Sequence, residues 1–225
     1  MTSTAPLTID VVSDVVCPWC FIGMKRLQKA VAAAGLEVQV NWRPYQLDPT
    51  VPAEGLDRKA YMLGKFGSED KIREIHGRIE PLGRAEGIAF DFDAITVAPN
   101  TLDAHRLIRW AGASGAAVQG RLVALLFSLY FEKGANIGDR AVLVEASREA
   151  GMDASVVEAL LPTDTGLEEV RKEIATAAQM GVTGVPCFLL ERRYAIVGAQ
   201  EADTLADAIR QVSAAQARGE LNDAG

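Results

Sequence analysis

Cysteine and histidine are scarce in this chain, three and two among 225 residues. Three cysteines are too few for a disulfide scaffold of this size. A structural zinc takes four ligands and finds too few thiol and imidazole donors near one another in the sequence. Basic charge is short as well: 23 Lys and Arg face 30 Asp and Glu, for a formal net charge of -7. No basic cluster interleaved with aromatics offsets that sign, which argues against nucleic acid or a membrane surface as partner. No apolar run approaches the length of a membrane span. Met1 to Pro6 carries neither a basic region nor a long apolar one, so no secretory signal is expected and the expected compartment is the cytoplasm. Repeats and low-complexity tracts are also missing. What remains is an ordinary globular composition, 49% hydrophobic and 24% charged, enough for one large core or a core with a satellite.

The periodicity changes twice along the chain. Leu7 to Val12 alternates and is rich in β-branched residues, the pattern of a strand. From Trp19 to Ala34 the apolar spacing is helical, with Ile22, Leu27, Ala30, Val31 and Ala34 on one side, and Gly35 stops it. Val38, Val40 and Trp42 alternate again before Pro44. So short a crossover predicts two parallel strands joined right-handedly. Residues 45–56 look like a connector, and a helical region follows. Ser68 is a candidate cap for a helix bearing Ile72, Ile75 and Ile79, and Asn100 for another. Leu122, Leu125, Leu126, Leu129 and Tyr130 form the clearest amphipathic pattern. Asp153 caps a short helix ended by Pro162, and Thr165 to Glu168 fits a capping box. Period two then returns: Cys187–Leu190 and Tyr194–Val197, separated by Glu191-Arg192-Arg193, predict a hairpin. A helix through Leu205, Ala208, Ile209 and Val212 follows, and the polar tail from Gln216 is expected to fray. One mixed sheet flanked by helices buries all these apolar faces, which gives an α/β fold. Residues 1–55 and 165–225 then form a discontinuous sheet domain, with 56–164 inserted as a helical domain.

The chemistry concentrates in Cys17-Pro18-Trp19-Cys20, between the first strand and the first helix. At a helix mouth the unpaired N–H groups and the dipole favour a thiolate, so Cys17 is the expected nucleophile and the more exposed, more acidic thiol. Cys20, inside the first turn, is the expected resolving thiol, buried and with a raised pKa. A thiolate attacks a disulfide, and the second thiol expels the resulting mixed disulfide. Pro18 suits the first helical position because its missing N–H is not used there.

Around this motif the chain resembles the DsbA-like branch of the thioredoxin fold, and within it the cytoplasmic FrnE-type dithiol–disulfide isomerases. The resemblance is carried by Ser13 to Gly23, by Asn100-Thr101 with Ala104-His105-Arg106-Leu107, by Gly181 to Pro186, and by Gly198-Ala199-Gln200. It implies a thioredoxin-like mixed-sheet domain with a large inserted all-helical domain, a redox-active pair at Cys17 and Cys20, and a cis peptide before Pro186. The chain is similar, more distantly, to hydroxychromene-carboxylate isomerases and kappa-class glutathione transferases. In those a serine typically stands where Cys17 stands and activates the thiol of glutathione. Both cysteines are present here, which favours redox chemistry.

Other residues have two readings each. From sequence Pro186 is simply a strand start; with the implied cis bond, it would turn the Val185 backbone toward Cys17, for an extended substrate to pair with. Trp19 is either a substrate platform or a cover for the helix base. Cys187 reads as a small buried hydrophobe in a strand, a third redox thiol being the lesser alternative. His105 shares a helical face with Leu102 and Ile108 and reads as packed against a backbone carbonyl; the alternative lines the cleft opposite Cys17. His76, among charged neighbours, reads as solvated. Phe90 and Phe92 either roof the groove or anchor a loop. The leading function is therefore thiol–disulfide exchange with protein or small-molecule substrates, through Cys17, Cys20 and Pro186, with Trp19, Val185, Phe90 and His105 binding substrate. No tightly bound cofactor is expected. Glutathione is an open co-substrate, and glutathione or a thioredoxin-type protein an open electron partner. A glutathione-dependent isomerase or transferase of a small aromatic substrate is the alternative, and a non-enzymatic binder of apolar polypeptide the third. The oligomeric state is left open.

Overall fold

Leu7–Ser13 forms β1, an interior strand with nearly every side chain buried, in a computed structural model that describes residues 6–220. Residues 1–5, which bear on the leader expectation, and 221–225, half of the tail expected to fray, lie outside that range. Helix α1, Pro18–Ala34, crosses from β1 and ends where Gly35 adopts a left-handed conformation (φ 65°). It returns the chain to β2, Val38–Pro44, parallel to β1 in the register Leu7 to Val38 through Ser13 to Pro44.

The middle of the chain is mostly helix: α2 (Arg58–Phe66), α3 (Glu69–Ala85), α4 (Leu102–Ala113), α5 (Ala116–Phe131), α6 (Arg140–Ala150) and α7 (Ala154–Leu160). It is not purely helical. The two-residue strands β3, Leu56–Asp57, and β4, Val97–Ala98, pair antiparallel and tie the connector to the segment before α4. So short a ladder leaves no periodicity to read. Ser68 and Asp153 cap their helices as the sequence predicts. The Thr165 capping box does not form: α8, Leu167–Gln179, is entered through left-handed Gly166 with no side-chain cap. Arg106 accounts for this. Its buried guanidinium donates to the carbonyls of Leu160, Leu161, Thr163 and Thr165 and to Asp103, and so fixes the turn that leads into α8.

β5, Cys187–Leu190, runs antiparallel to β1, and β6, Tyr194–Val197, antiparallel to β5, giving the order β2-β1-β5-β6. Their hairpin turn places Glu191 and Arg192 at positive φ, 51° and 55°, without glycine. Side-chain bonds hold it: Glu191 accepts from the Thr8 N–H at 2.6 Å, and Arg192 donates to Asp10 at 2.8 Å. Helix α9, Ala202–Ala217, then packs against α1. The sheet separates two apolar clusters. Ile9, Val11, Phe188 and Leu190 join the large core with α1 and α9, while Val12, Cys187 and Leu189 face the small cluster that includes Ala177 of α8. At the outer side of β2, the buried Gln119 amide accepts from Trp42 N–H (2.9 Å) and donates to Trp42 C=O (3.3 Å), as a neighbouring strand would. No helix among the described residues is long and apolar enough to cross a membrane.

Candidate functional site

Cys17 is the N-cap of α1, extended at φ −96° and ψ 113°, with no carboxylate in the first turn to compete with an anion there. The turn is fixed by its own backbone. Cys17 N–H donates to Asp14 C=O, and the N–H groups of Cys20 and Phe21 both return to the Cys17 carbonyl. The Cys17 thiol points the other way, toward the Val185 carbonyl at 3.9 Å. Both cysteines are buried, 4% and 1% exposed, so the expected exposure of Cys17 is not found. The exposed member of the motif is Trp19, at 39%. The Cys20 thiol is pushed well up, by burial first and then by the neighbouring Cys17; the Ser13 hydroxyl and the Asp14 amide act in the opposite direction.

The Val185–Pro186 peptide is cis. Pro186 is seated on α1 at Gly23, where a Cβ would come within 2.9 Å of Pro186 Cγ and 3.2 Å of Phe188 Cζ. Only glycine lets the proline this close, and that seating carries the Val185 carbonyl to Cys17. Gly23 stands in the motif, but its role depends on a partner far along the chain.

Behind the turn, Asp14 is fully buried and hydrogen-bonded at both oxygens: Oδ2 accepts from Leu47 N–H at 2.8 Å, and Oδ1 from His105 Nε2 at 3.3 Å. His105 is packed, but against this carboxylate and not a backbone carbonyl. Ser13 Oγ, also buried, has no hydrogen-bond partner within range.

Beside Val16 and Pro18 opens a cleft of about 740 Å³ of empty space, solvent included, between the β1–α1 turn and the middle segment. Its walls are apolar at Leu47, Val51, Met62, Phe66, Ile79 and Phe92, and charged at Arg58 and Lys65 on one hand and at Asp14 and Asp48 on the other, with Lys65 acting on Asp48. Arg58 donates to the Tyr130 hydroxyl at 2.9 Å, and among the described residues neither Arg58 nor Lys65 has a carboxylate in salt-bridge range. The Tyr130 phenol is pushed up to about 12 by burial, which leaves it a neutral donor. His76 is half-buried, not simply solvated. It stacks on Phe92 with ring centroids 4.0 Å apart, and burial, then Arg58, lowers its pKa. Phe90 does not line this cleft. It packs edge-on against Phe21 and Phe131 and stacks on Phe92, so it anchors the loop. Cys187, its thiol raised by burial, lies on the opposite face of the sheet from the cysteine pair.

The structure thus brings together Cys17, Cys20, Val185 and Pro186, sets Trp19 at the surface beside them, and leaves Phe90 and His105 one layer behind. Sequence reasoning assigned no role to Ser13, Asp14, Gly23 or Arg58. Asp14 had one available signal, a carboxylate three residues before a thiol in an otherwise apolar segment; Arg58 had none, being one cation among many.

The sequence model of the DSBA-like thioredoxin domain matches residues 8–210. YwbO of Bacillus subtilis (strain 168), an uncharacterized protein, is 28% identical over 185 residues, which is 81% of this chain and 86% of its own. The crystal structure of a probable DsbA oxidoreductase from Streptomyces coelicolor superposes with a TM-score of 0.83 at 30% identity, over 92% of this chain and 90% of that one. The cytosolic disulfide reductase DsbM from Pseudomonas aeruginosa, solved with GSH, shares the fold at a TM-score of 0.59 and 21% identity, over 94% of this chain and 100% of that one.

Proposed function

Because the chain belongs to the DSBA-like thioredoxin domain family, we propose that it is a thiol–disulfide oxidoreductase working through Cys17 and Cys20. The observation that carries this reading is the asymmetry of the pair. Cys17 sits at the head of a 17-residue helix beside an open carbonyl, whereas Cys20 lies one turn inside with its thiol pushed up. A Cys17 thiolate attacks one sulfur of a substrate disulfide, the other sulfur leaves as a thiolate, and Cys17 is left in a mixed disulfide. Cys20 then loses its proton and attacks the Cys17 sulfur, closing the Cys17–Cys20 bond and releasing the second substrate thiolate. The substrate is reduced by two electrons and the pair oxidised by two; the reverse sequence oxidises a dithiol. The exposed Trp19 and the Val185 backbone flank the approach to Cys17.

In this reading residues 1–55 and 165–225 carry the thiols, and the inserted residues 56–164 wall the substrate cleft. Apolar walls with Arg58 free of a carboxylate partner among the described residues suit a small thiol or disulfide bearing a carboxylate, and we include glutathione among the co-substrates on that ground. That DsbM was solved with GSH supports the choice, and its cytosolic description supports a cytoplasmic setting. The test is insulin reduction and dithiol oxidation by the full chain and by single-cysteine variants. Both activities should vanish in Cys17→Ala. Undiminished turnover in Cys20→Ala would overturn the proposal.

A further inference from the structure

Ser13 closes β1 and stands four residues before Cys17. The residue is 5% exposed, and its hydroxyl meets no partner within hydrogen-bond range. Native interiors hold few such groups, because an unpaired buried hydroxyl is unfavourable and an alanine would avoid it. The strand backbone does not need the side chain: Ser13 C=O already accepts from Tyr45 N–H at 3.0 Å. What the hydroxyl faces is the Cys20 sulfur.

We propose that Ser13 is a positioning residue for the second half of the exchange, its hydroxyl held in reserve as a donor to the Cys20 thiolate. The inference rests on the oxidoreductase reading above and assigns a part within it. A neutral thiol is a weak acceptor and gains little from Ser13, whereas a thiolate gains a charge-assisted bond, so the hydroxyl acts only when Cys20 is ionised. The need is specific to that moment. Once Cys17 is capped as a mixed disulfide its own upward push on Cys20 is gone, but burial still opposes a charge on the Cys20 sulfur just when that charge has to form. The Asp14 side chain is engaged elsewhere, with Leu47 N–H on one oxygen and His105 on the other. Cys17 at the N-cap of α1, Asp14 from the turn, and His105 and Tyr130 behind it are titratable groups on this side. That leaves two neutral donors for the Cys20 thiolate, the Asp14 backbone N–H and the Ser13 hydroxyl. In the step itself the Cys20 proton leaves, to be taken up by the departing substrate thiolate. Cys20 sulfur bonds to Cys17 sulfur as the substrate bond breaks, and Ser13 keeps its own proton throughout.

The test uses the reduced full-length protein and one equivalent of Ellman's reagent. Attack by Cys17 releases the first coloured thiolate, and attack by Cys20 on the mixed disulfide releases the second. Ser13→Ala should slow the second release about tenfold, the worth of one hydrogen bond to a charged group, and displace its pH profile upward by about one unit, with the first release unaffected. Ser13→Thr, which keeps the hydroxyl, should restore the second release, and Ser13→Gly should match Ser13→Ala. The melting temperature of the reduced Ser13→Ala protein should be unchanged or raised, because the hydroxyl it removes is unpaired. A wild-type second release in Ser13→Ala, or equal slowing of both releases together with a lowered melting temperature, would overturn the inference. A wild-type protein that gives no second release would instead overturn the oxidoreductase reading, and this part with it.

Discussion

Gly23 and Pro186 touch across 163 positions of sequence: a single methyl group on the glycine would stand 2.9 Å from the proline ring. This contact sets the depth at which the segment before β5 lies on α1, and with it the position of the Val185 carbonyl 3.9 Å from the Cys17 sulfur. Gly23→Ala gains helix propensity and loses the fit. Overpacking of this kind is worth about 1–3 kcal/mol, so the urea midpoint should fall. Insulin reduction should fall further, by about tenfold, since the substrate site moves with the proline. An alanine variant with full activity would separate the contact from function.

The two cysteines should fail differently. Cys20→Ala should accumulate a mixed disulfide on Cys17, visible by mass spectrometry as a stable adduct with glutathione or a substrate peptide. Cys17→Ala should form none. Cys187→Ala should turn over as wild type, because that thiol lies on the other face of the sheet. Oxidation of the wild-type chain should link Cys17 to Cys20, and a peptide map showing Cys187 in the major disulfide would contradict the assignment.

Resolution should depend steeply on pH. Burial pushes the Cys20 thiol up, and in the mixed disulfide, where Cys17 carries no charge, burial alone keeps the proton on Cys20 through neutrality. Below that raised value the reactive thiolate grows about tenfold per pH unit, and the second step should accelerate with rising pH at that slope. The acid side is therefore the slow side. Stopped-flow release from a preformed mixed disulfide measures this directly; a flat profile between about pH 6 and pH 9 would be the wrong outcome.

Arg58→Met should raise the KM for glutathione disulfide about tenfold and alter kcat little, as expected when a charge that binds the ground and transition states alike is removed. An unchanged KM would place the carboxylates of glutathione elsewhere.

Stability should hinge on Arg106 more than on any ion pair at the surface. Its guanidinium serves four carbonyls between the last residue of α7 and Thr165, and removing it leaves them without those bonds. Arg106→Met should cost about 3 kcal/mol or more in urea unfolding, and Arg106→Lys should recover little, since one ammonium cannot match a planar fork of donors. A loss below about 1 kcal/mol would show that the turn into α8 holds itself.

Elements whose apolar period is long and clean were legible from sequence. The β1–α1–β2 unit, the β5–β6 hairpin and α5 follow from alternation, helical spacing and glycine stops, because each buries a face that its own residues announce. The site was legible only in its local part. Cys17, Pro18, Trp19 and Cys20 lie in one turn, and their order along the helix already distinguishes them. Contacts that close over long distances were not legible: Gly23 under Pro186, His105 on Asp14, Arg58 beside Tyr130. His76 misled for the same reason. Its sequence neighbours are charged, but its ring lies on Phe92 from another segment. The turn into α8 misled because a distant arginine outbids a local cap.

Gln119 has a consequence for how these molecules meet one another. Its amide occupies the Trp42 N–H and C=O to which an incoming strand would bond, and Pro44, two residues on, has no N–H to offer. One rim of the sheet is therefore blocked at Trp42 and Pro44, and the opposite rim is β6, where Tyr194 and Val197 are exposed. A ribbon of sheets that grows without limit needs two open rims on every member. A rim blocked at Trp42 and Pro44 gives an incoming strand no continuous ladder on that side, so growth through this sheet beyond a pair is disfavoured.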